Sequence, residues 1–202
     1  VMLSHVNLSW TSQTLIEVGG RTGAEVTLSY LPLAHIAEQM ATIHMPATAG
    51  TTVYYAESLE KIADNLKDCR PTVFFGVPTL FAMMLASPEL PARSDLAIRI
   101  CTSAGEALPE HIGRRFNEHF GVEVLDGLGS TEMLHVFLSN RPGDVRYGTS
   151  GRPVPGYNLR IVDDAGQPVP PGEVGELQVE GPTAAQGYWN NRDKSRATFH
   201  GP

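Results

Sequence analysis

Short apolar segments recur along the first two thirds of the chain with spacings typical of strands. Residues 26–30 alternate apolar and polar side chains, which indicates a half-buried strand, and residues 51–55 form a second strand candidate. Residues 72–76 are continuously apolar, as in strands buried on both faces of a parallel sheet. Two further strands are predicted over residues 96–101 and 122–125.

Helix-forming segments separate these strands. Apolar residues recur at helical spacing in each segment, for example Ile112, Phe116 and Phe120 before the closing Gly121. Strands that alternate with helices predict an α/β fold in which a layered, mainly parallel sheet has helices on its flanks. The predicted helices span residues 4–18, 34–45, 59–66 with Ser58 as N-cap, 78–86 opening at Pro78, and 109–120.

The pattern changes after residue 140. Residues 141–156 are rich in glycine, proline and other turn formers, and residues 158–162 and 175–180 then alternate apolar and polar side chains. We therefore predict a small antiparallel β unit over about 146–182. The chain is divided accordingly into an α/β subdomain, residues 1–145, and a β subdomain, residues 146–202.

Composition narrows the class of protein. The 202 residues are 42% hydrophobic, which is ordinary for a folded domain, and the net charge of −7 argues against a nucleic-acid partner. The sequence has no apolar run near the ~20 residues that a membrane span needs, and no signal peptide at the start. We therefore expect a cytoplasmic protein with no integral membrane segment. Cys69 and Cys101 lack zinc-site spacing and are predicted to be buried, reduced thiols.

Two polar loops follow predicted strands, where ligands bind in open α/β sheets. In residues 126–132, two glycines allow a ligand to approach closely, and hydroxyls and a carboxylate suit a phosphate bound with Mg²⁺. The alternative is an ordinary strand-to-helix turn capped by Ser130 or Thr131. Residues 102–109 form a small-residue loop before a helix, and its alternative interpretation is a tight turn that needs small side chains.

The stretch Gly127-Leu128-Gly129-Ser130-Thr131-Glu132 resembles the Tyr-Gly-x-Thr-Glu signature of the acyl-adenylate-forming enzymes, which include the AMP-forming acyl-CoA and aryl-CoA ligases. Leu128 replaces the tyrosine whose ring packs near adenine in that family. Residues 105–109 resemble the family's adenine loop, and residues 175–182 resemble a signature of its β-barrel subdomain. Residues 126–140 are most similar to benzoate-CoA ligases, whereas residues 31–38 are more similar to long-chain acyl-CoA synthetases, so the acid is either aromatic or fatty.

The resemblance implies roles for particular residues. Glu132 would hold Mg²⁺, Thr131 would contact a phosphate, and His35 would lie beside the acyl pocket and the phosphates. For His35 a local hydrogen bond at a helix N-terminus is the alternative, and for His135 a position in a helix facing the core. The implied nucleotide-binding residues are Ser103, Ala104, Gly105, Glu106, Ala107, Asp126, Gly127, Leu128, Gly129, Ser130 and Thr131, and the implied acyl-pocket residues are His35, Gly129, Ser130 and His135.

The implied activity is a two-step ligation that uses ATP, Mg²⁺ and coenzyme A. A carboxylic acid reacts with ATP to give an acyl-adenylate and pyrophosphate, and the CoA thiol then displaces AMP. A luciferase-like or adenylation enzyme with another acceptor, and an inactive nucleotide-binding module, are the alternatives. Because residues 1–8 resemble the segment that follows the family's phosphate-binding loop, we expect an internal segment of a longer enzyme.

We expect the 202 residues alone to lack full activity. The phosphate-binding loop, the ribose-binding aspartate and the catalytic lysine of the family would lie outside this sequence, and groups that clamp reacting phosphates contribute several kcal/mol of transition-state stabilisation. Pyrophosphate release with ATP, Mg²⁺ and a panel of acids should therefore stay near background. Robust turnover would refute this expectation.

Overall fold

The computed structural model describes residues 1–20 and 24–200. The strands are β1 Val26–Ser29, β2 Thr52–Tyr55, β3 Val73–Gly76, β4 Ile100–Ser103, β5 Val124–Gly129, β6 Val136–Ser139, β7 Arg152–Pro153, β8 Asn158–Val162 and β9 Glu176–Glu180. The α-helices are α1 His5–Val18, α2 Ile36–Gln39, α3 Met45–Ala49, α4 Ile62–Cys69, α5 Pro78–Ala86, α6 Glu110–Phe120 and α7 Arg192–Thr198. A π-helix spans Met40–His44, and a 3-10 turn spans Arg93–Asp95.

Seven strands form one sheet in the order β2-β1-β3-β4-β5-β6-β7. Strands β1 to β5 are parallel to one another, and β6 and β7 add to them in antiparallel fashion. The predicted fold class, a mainly parallel sheet with flanking helices followed by a small antiparallel β unit, is confirmed. The ends of β1 to β5 where the chain leaves each strand lie together at one edge, which we call the carboxyl edge.

Strands β8 and β9 form a separate antiparallel pair, in register from Asn158 opposite Glu180 to Val162 opposite Glu176. The small antiparallel unit is therefore present as a two-stranded sheet. Strand β7, which the sequence assigned to this unit, instead pairs with β6 in the large sheet. The division of the chain at residue 145 stays a prediction.

Helices α4, α5 and α6 pack on one face of the large sheet. Their apolar side chains bury a line of aromatic rings, with centroid distances of 6.2 Å from Phe74 to Phe81, 5.0 Å from Phe81 to Phe116 and 4.6 Å from Phe116 to Phe120. A separate cluster joins Met40 and Met45 to residues of α1. Continuous apolar segments and amphipathic helices thus form the layers that their patterns predicted.

Two predicted boundaries on helices are wrong for identifiable reasons. The helix expected over 34–45 begins at Ile36, widens into the π-helix and then continues as α3. Helix α4 begins at Ile62 with Lys61, not Ser58, at its N-cap. Leu59, which the sequence placed on the apolar face, is 50% exposed, so only the turns from Ile62 onward pack on the sheet.

The strand expected over 96–101 also differs, because β4 spans Ile100–Ser103. Pairing starts where β3 offers a partner, with Val73 opposite Ile100.

Cys101 is buried and Cys69 is half-buried, so the predicted burial of Cys69 is only partly correct, and both are free thiols. Within residues 1–20 and 24–200, no helix has the length and apolarity needed to cross a bilayer.

Two adjacent methionines in α5 test this packing. Met84 is 5% exposed in the aromatic core, whereas Met83 is 61% exposed. Met84→Ala should lower the free energy of unfolding by about 2–5 kcal/mol because it leaves a cavity, and Met83→Ala should change it by less than about 0.5 kcal/mol. Urea denaturation followed by circular dichroism measures both, and equal losses would contradict the described packing of α5.

Candidate functional site

Strand β5 continues through the glycine-rich stretch, which the sequence interpreted as a turn. It ends only at Gly129, and the antiparallel strand β6 lies directly against its last residues. A Cβ at Gly127 would lie 2.9 Å from the Leu138 oxygen, and one at Gly129 would lie 2.4 Å from the His135 oxygen. The glycines are needed because another backbone passes close to β5. The alternative of a strand-to-helix turn is wrong, since a strand follows.

Residues 130–135 form a tight loop between β5 and β6, which we call the 130–135 loop. The Ser130 hydroxyl accepts a hydrogen bond from the Met133 amide at 3.2 Å, and the Leu134 amide donates to the Thr131 oxygen at 3.1 Å. Leu134 has a φ of 72°, an unusual value for a residue with a side chain, and its side chain is fully buried beside Met40. The loop therefore has one well-defined conformation, and the Thr131 side chain remains exposed.

Glu132 lies half-buried in this loop. Its Oε1 accepts a hydrogen bond from the Tyr188 hydroxyl at 2.7 Å, and this bond holds the pKa of Glu132 below the usual range of glutamates. The side chain is consequently ionised at neutral pH. Among the described residues no three His, Cys, Asp or Glu side chains converge on one point. A single carboxylate suits Mg²⁺ that completes its shell with substrate phosphates and water, so the residues present fit such an ion.

Asp126 connects β5 to the loop that follows β4. It lies opposite Ser103 in the sheet and is only 4% exposed. Its Oδ2 faces the Leu108 amide at 3.5 Å. Burial raises the pKa of Asp126, while hydrogen bonds from Ser103, Leu108 and Gly127 oppose that rise. Its carboxyl group therefore lies inside the protein and connects β5 to the loop that follows β4.

The loop of residues 104–108 leaves β4 next to β5, so the two candidate loops are neighbours at the carboxyl edge, as predicted. Gly105 has a φ of 92°, which favours glycine. The Glu106 carboxylate accepts a hydrogen bond from the Thr79 hydroxyl at 3.1 Å, at the start of α5. Gly105, Glu106 and Ala107 are exposed, Ala104 is half-buried, and Leu128 on β5 is 39% exposed. Residues 105–107 and Leu128 are therefore accessible to a ligand at this edge.

The two histidines occupy different positions. His35 follows β1 at the carboxyl edge, is exposed, and its Nδ1 accepts a hydrogen bond from the Ala37 amide at 3.2 Å. The local hydrogen bond considered for His35 is therefore present, and its role beside an acyl pocket stays a prediction. His135 lies in a bend just before β6, so the alternative of a helical histidine is wrong.

One segment that contacts the site was not assigned to it from the sequence. The Thr183 hydroxyl donates to the Met133 oxygen at 2.7 Å, and the Ala185 amide donates to the Glu132 oxygen at 2.8 Å. Together with Tyr188, these residues contact the 130–135 loop from about fifty positions further along the chain. Local sequence patterns carry no signal for contacts at such separations.

An open, mainly parallel sheet whose strands end together at a glycine-lined carboxyl edge places the chain among the α/β proteins, in which ligands bind at that edge. The chain belongs to the AMP-binding enzyme family, whose sequence model matches residues 1–189.

Several relatives in this family are named as CoA ligases of aromatic acids. The chain is 55% identical over 158 residues to a benzoate-CoA ligase of Thauera aromatica, a match that covers 77% of this chain and 30% of that protein. The structure of a benzoate-CoA ligase from Burkholderia xenovorans LB400 superposes with a TM-score of 0.95 at 54% identity, over 98% of this chain and 42% of that one. An anthranilate-CoA ligase, AuaEII, solved with anthranoyl-AMP, gives a TM-score of 0.90 at 36% identity, over 98% of this chain and 39% of that one. The chain thus spans less than half the length of these relatives.

The buried carboxyl group of Asp126 predicts a particular dependence of stability on pH. Because its pKa is raised in the folded state, the folded protein binds a proton more tightly, and its stability falls as the pH rises from about 4 through the folded-state pKa. Asp126→Asn, which removes the charge, should therefore raise the melting temperature at pH 7.

The advantage of Asp126→Asn should shrink as the pH falls toward 4, because the raised pKa lets the wild-type carboxyl group take up its proton as the pH falls. Thermal melts at both pH values measure it, and the exposed Asp68 provides the control variant Asp68→Asn, which should show no such trend. An Asp126→Asn variant that is less stable than wild type at pH 7 would contradict this account of the site.

Proposed function

We propose that this chain forms the nucleotide- and acyl-binding part of an AMP-forming aryl-CoA ligase. The observation that carries the proposal is the ionised, half-buried Glu132 next to exposed Thr131 at the glycine-lined carboxyl edge. The similarity to benzoate-CoA and anthranilate-CoA ligases supports the reaction class. Because the chain spans only part of those proteins, the activity of the whole enzyme is part of the proposal.

In this proposal ATP binds across the carboxyl edge. The exposed residues 105–107 and the exposed Leu128 of β5 form the surface on which the adenine lies in this proposal. The exposed Thr131 hydroxyl would donate to a phosphate oxygen, and Glu132 would hold Mg²⁺. When bound, Mg²⁺ neutralises the negative charge that develops as pyrophosphate leaves.

The acid binds next to the α-phosphate of ATP. Gly129 is exposed at the end of β5, and in this proposal the carboxylate of the acid lies beside its backbone. The loops that carry His35 and His135 flank the acyl group. Holding the acid and ATP in the reacting geometry is the main contribution of these residues, since little covalent chemistry falls to the protein. The carboxylate then attacks the α-phosphorus and gives an acyl-adenylate and pyrophosphate.

We propose an aromatic acid such as benzoate as the substrate and CoA as the acceptor. The named relatives act on benzoate or anthranilate and are CoA ligases, which favours both choices. The similarity of residues 31–38 to long-chain enzymes leaves a fatty acid as the second candidate. The subdomains over 1–145 and 146–202, a cytoplasmic location and the absence of a nucleic-acid partner remain parts of the proposal.

The role of Glu132 can be tested by ATP binding. Glu132→Gln keeps the shape of the side chain but removes the charge, so the affinity for ATP in Mg²⁺ should fall by about tenfold, equivalent to about 1.4 kcal/mol. Affinity in EDTA should change little, because no metal is then held. Isothermal titration calorimetry measures both conditions.

Glu118→Gln provides the matched control, because Glu118 is exposed near the C-terminal end of α6. This variant should bind ATP as tightly as the wild type does. An unchanged Mg²⁺ dependence in Glu132→Gln would contradict the proposed function.

A further inference from the structure

We propose that Tyr188 is a positioning residue for Glu132 and that it acts as part of one segment, residues 182–188, which we call the strap. The strap follows β9 and passes between the 130–135 loop and the first residues of the chain. The proposal rests on the proposed function, because it assigns to the strap the orientation of the carboxylate that would hold Mg²⁺.

The strap contacts the 130–135 loop through three hydrogen bonds. The Thr183 hydroxyl donates to the Met133 oxygen at 2.7 Å, and the Ala185 amide donates to the Glu132 oxygen at 2.8 Å. The Tyr188 hydroxyl donates to Glu132 Oε1 at 2.7 Å. Backbone and side chain of Glu132 are therefore both held by the strap.

The first of these contacts is deeply buried. Thr183 is completely buried, and its hydroxyl also pairs with the Tyr157 hydroxyl at 2.6 Å. Buried polar contacts of this kind are costly to break, because a buried donor or acceptor that loses its hydrogen bond is not compensated by water. Thr183 therefore holds one end of the strap firmly against Met133.

The other side of the strap is bonded to the start of the chain. The Met2 amide donates to the Gly187 oxygen at 2.8 Å, and the Gln186 amide donates to the Met2 oxygen at 2.9 Å. The buried Asn7 side chain donates to the Pro182 oxygen at 3.0 Å. The strap therefore sets the distance between residues 2–7 and the 130–135 loop.

The contact at Tyr188 suits a positioning role. A carboxylate has two oxygens with about four acceptor sites, so the hydrogen bond to Oε1 restricts its orientation while acceptor sites remain for a cation. Outer-shell partners of this kind typically change metal affinity by about 10–100-fold when removed. The Lys194 ammonium lies 4.9 Å from the centroid of the Tyr188 ring and helps to hold the ring in place.

The test measures metal binding without turnover. Mn²⁺ replaces Mg²⁺ as the probe, and electron paramagnetic resonance measures free Mn²⁺ in the presence of ATP for the 202-residue chain. Tyr188→Phe removes only the hydroxyl and should weaken Mn²⁺ binding about 5–10-fold. Tyr147→Phe is the matched control, because the Tyr147 hydroxyl bonds the Val124 amide away from the loop, and it should change binding less than about twofold.

A double-mutant cycle separates positioning from a general structural effect. If Tyr188 acts through Glu132, adding Tyr188→Phe to Glu132→Gln should weaken Mn²⁺ binding no further. A further loss of the same size in the Glu132→Gln background would overturn the inference. Circular dichroism should show a folded Tyr188→Phe protein, since only a hydroxyl is lost, and an unfolded variant would equally contradict a positioning role.

The failure of the inference and that of the proposed function give different results. If Glu132→Gln loses Mn²⁺ binding while Tyr188→Phe binds as the wild type does, the proposed function stands and the inference is wrong. If Glu132→Gln binds Mn²⁺ with ATP as tightly as the wild type, both are wrong.

Discussion

The close approach of β6 to the end of β5 is the constraint on which the site depends. Two backbones can lie this near each other only because positions 127 and 129 lack a Cβ. The approach turns the chain back at the carboxyl edge and creates the 130–135 loop, whose conformation then places Glu132. A side chain at Gly129 would push β6 away and displace the loop, so the glycines serve the site through packing and not through flexibility.

The 130–135 loop is held from three directions. Strand β6 pairs with β5 at the end of the loop, and the buried Leu134 packs the middle of the loop against Met40 and Met45. The strap bonds Glu132 from the side of the small β sheet. Elements far apart in sequence thus converge on one carboxylate. Leu134 adopts a left-handed conformation at this point, which is tolerated because the surrounding contacts determine its position. Rigid support of this kind is what a site that works by positioning and charge neutralisation requires.

The structural features that were predicted correctly from the sequence are those that depend on local sequence patterns. Helix α5 starts at Pro78 and α6 ends at Gly121 as expected, because proline and glycine act at those positions through their own backbone preferences. The course of β5 through Gly127 and Gly129 was not predictable, because glycine weakens a strand. Only the pairing with β6 explains why the strand continues there. The start of β4 likewise depends on where β3 offers hydrogen bonds. The role of Tyr188 depends on a contact across 56 positions, which no local pattern contains.

The central claim is that the carboxyl edge binds ATP, and hydrogen–deuterium exchange of the chain with and without ATP and Mg²⁺ tests it most directly. The account predicts slower exchange on ATP binding in residues 103–108 and 126–132, the two loops at that edge. A cavity of about 480 Å³ at the amino ends of β4 and β5, lined in part by Arg93, Arg99 and Glu123, offers the competing location. Protection confined to residues 93–99 and 120–123, with none at the carboxyl edge, would contradict the account.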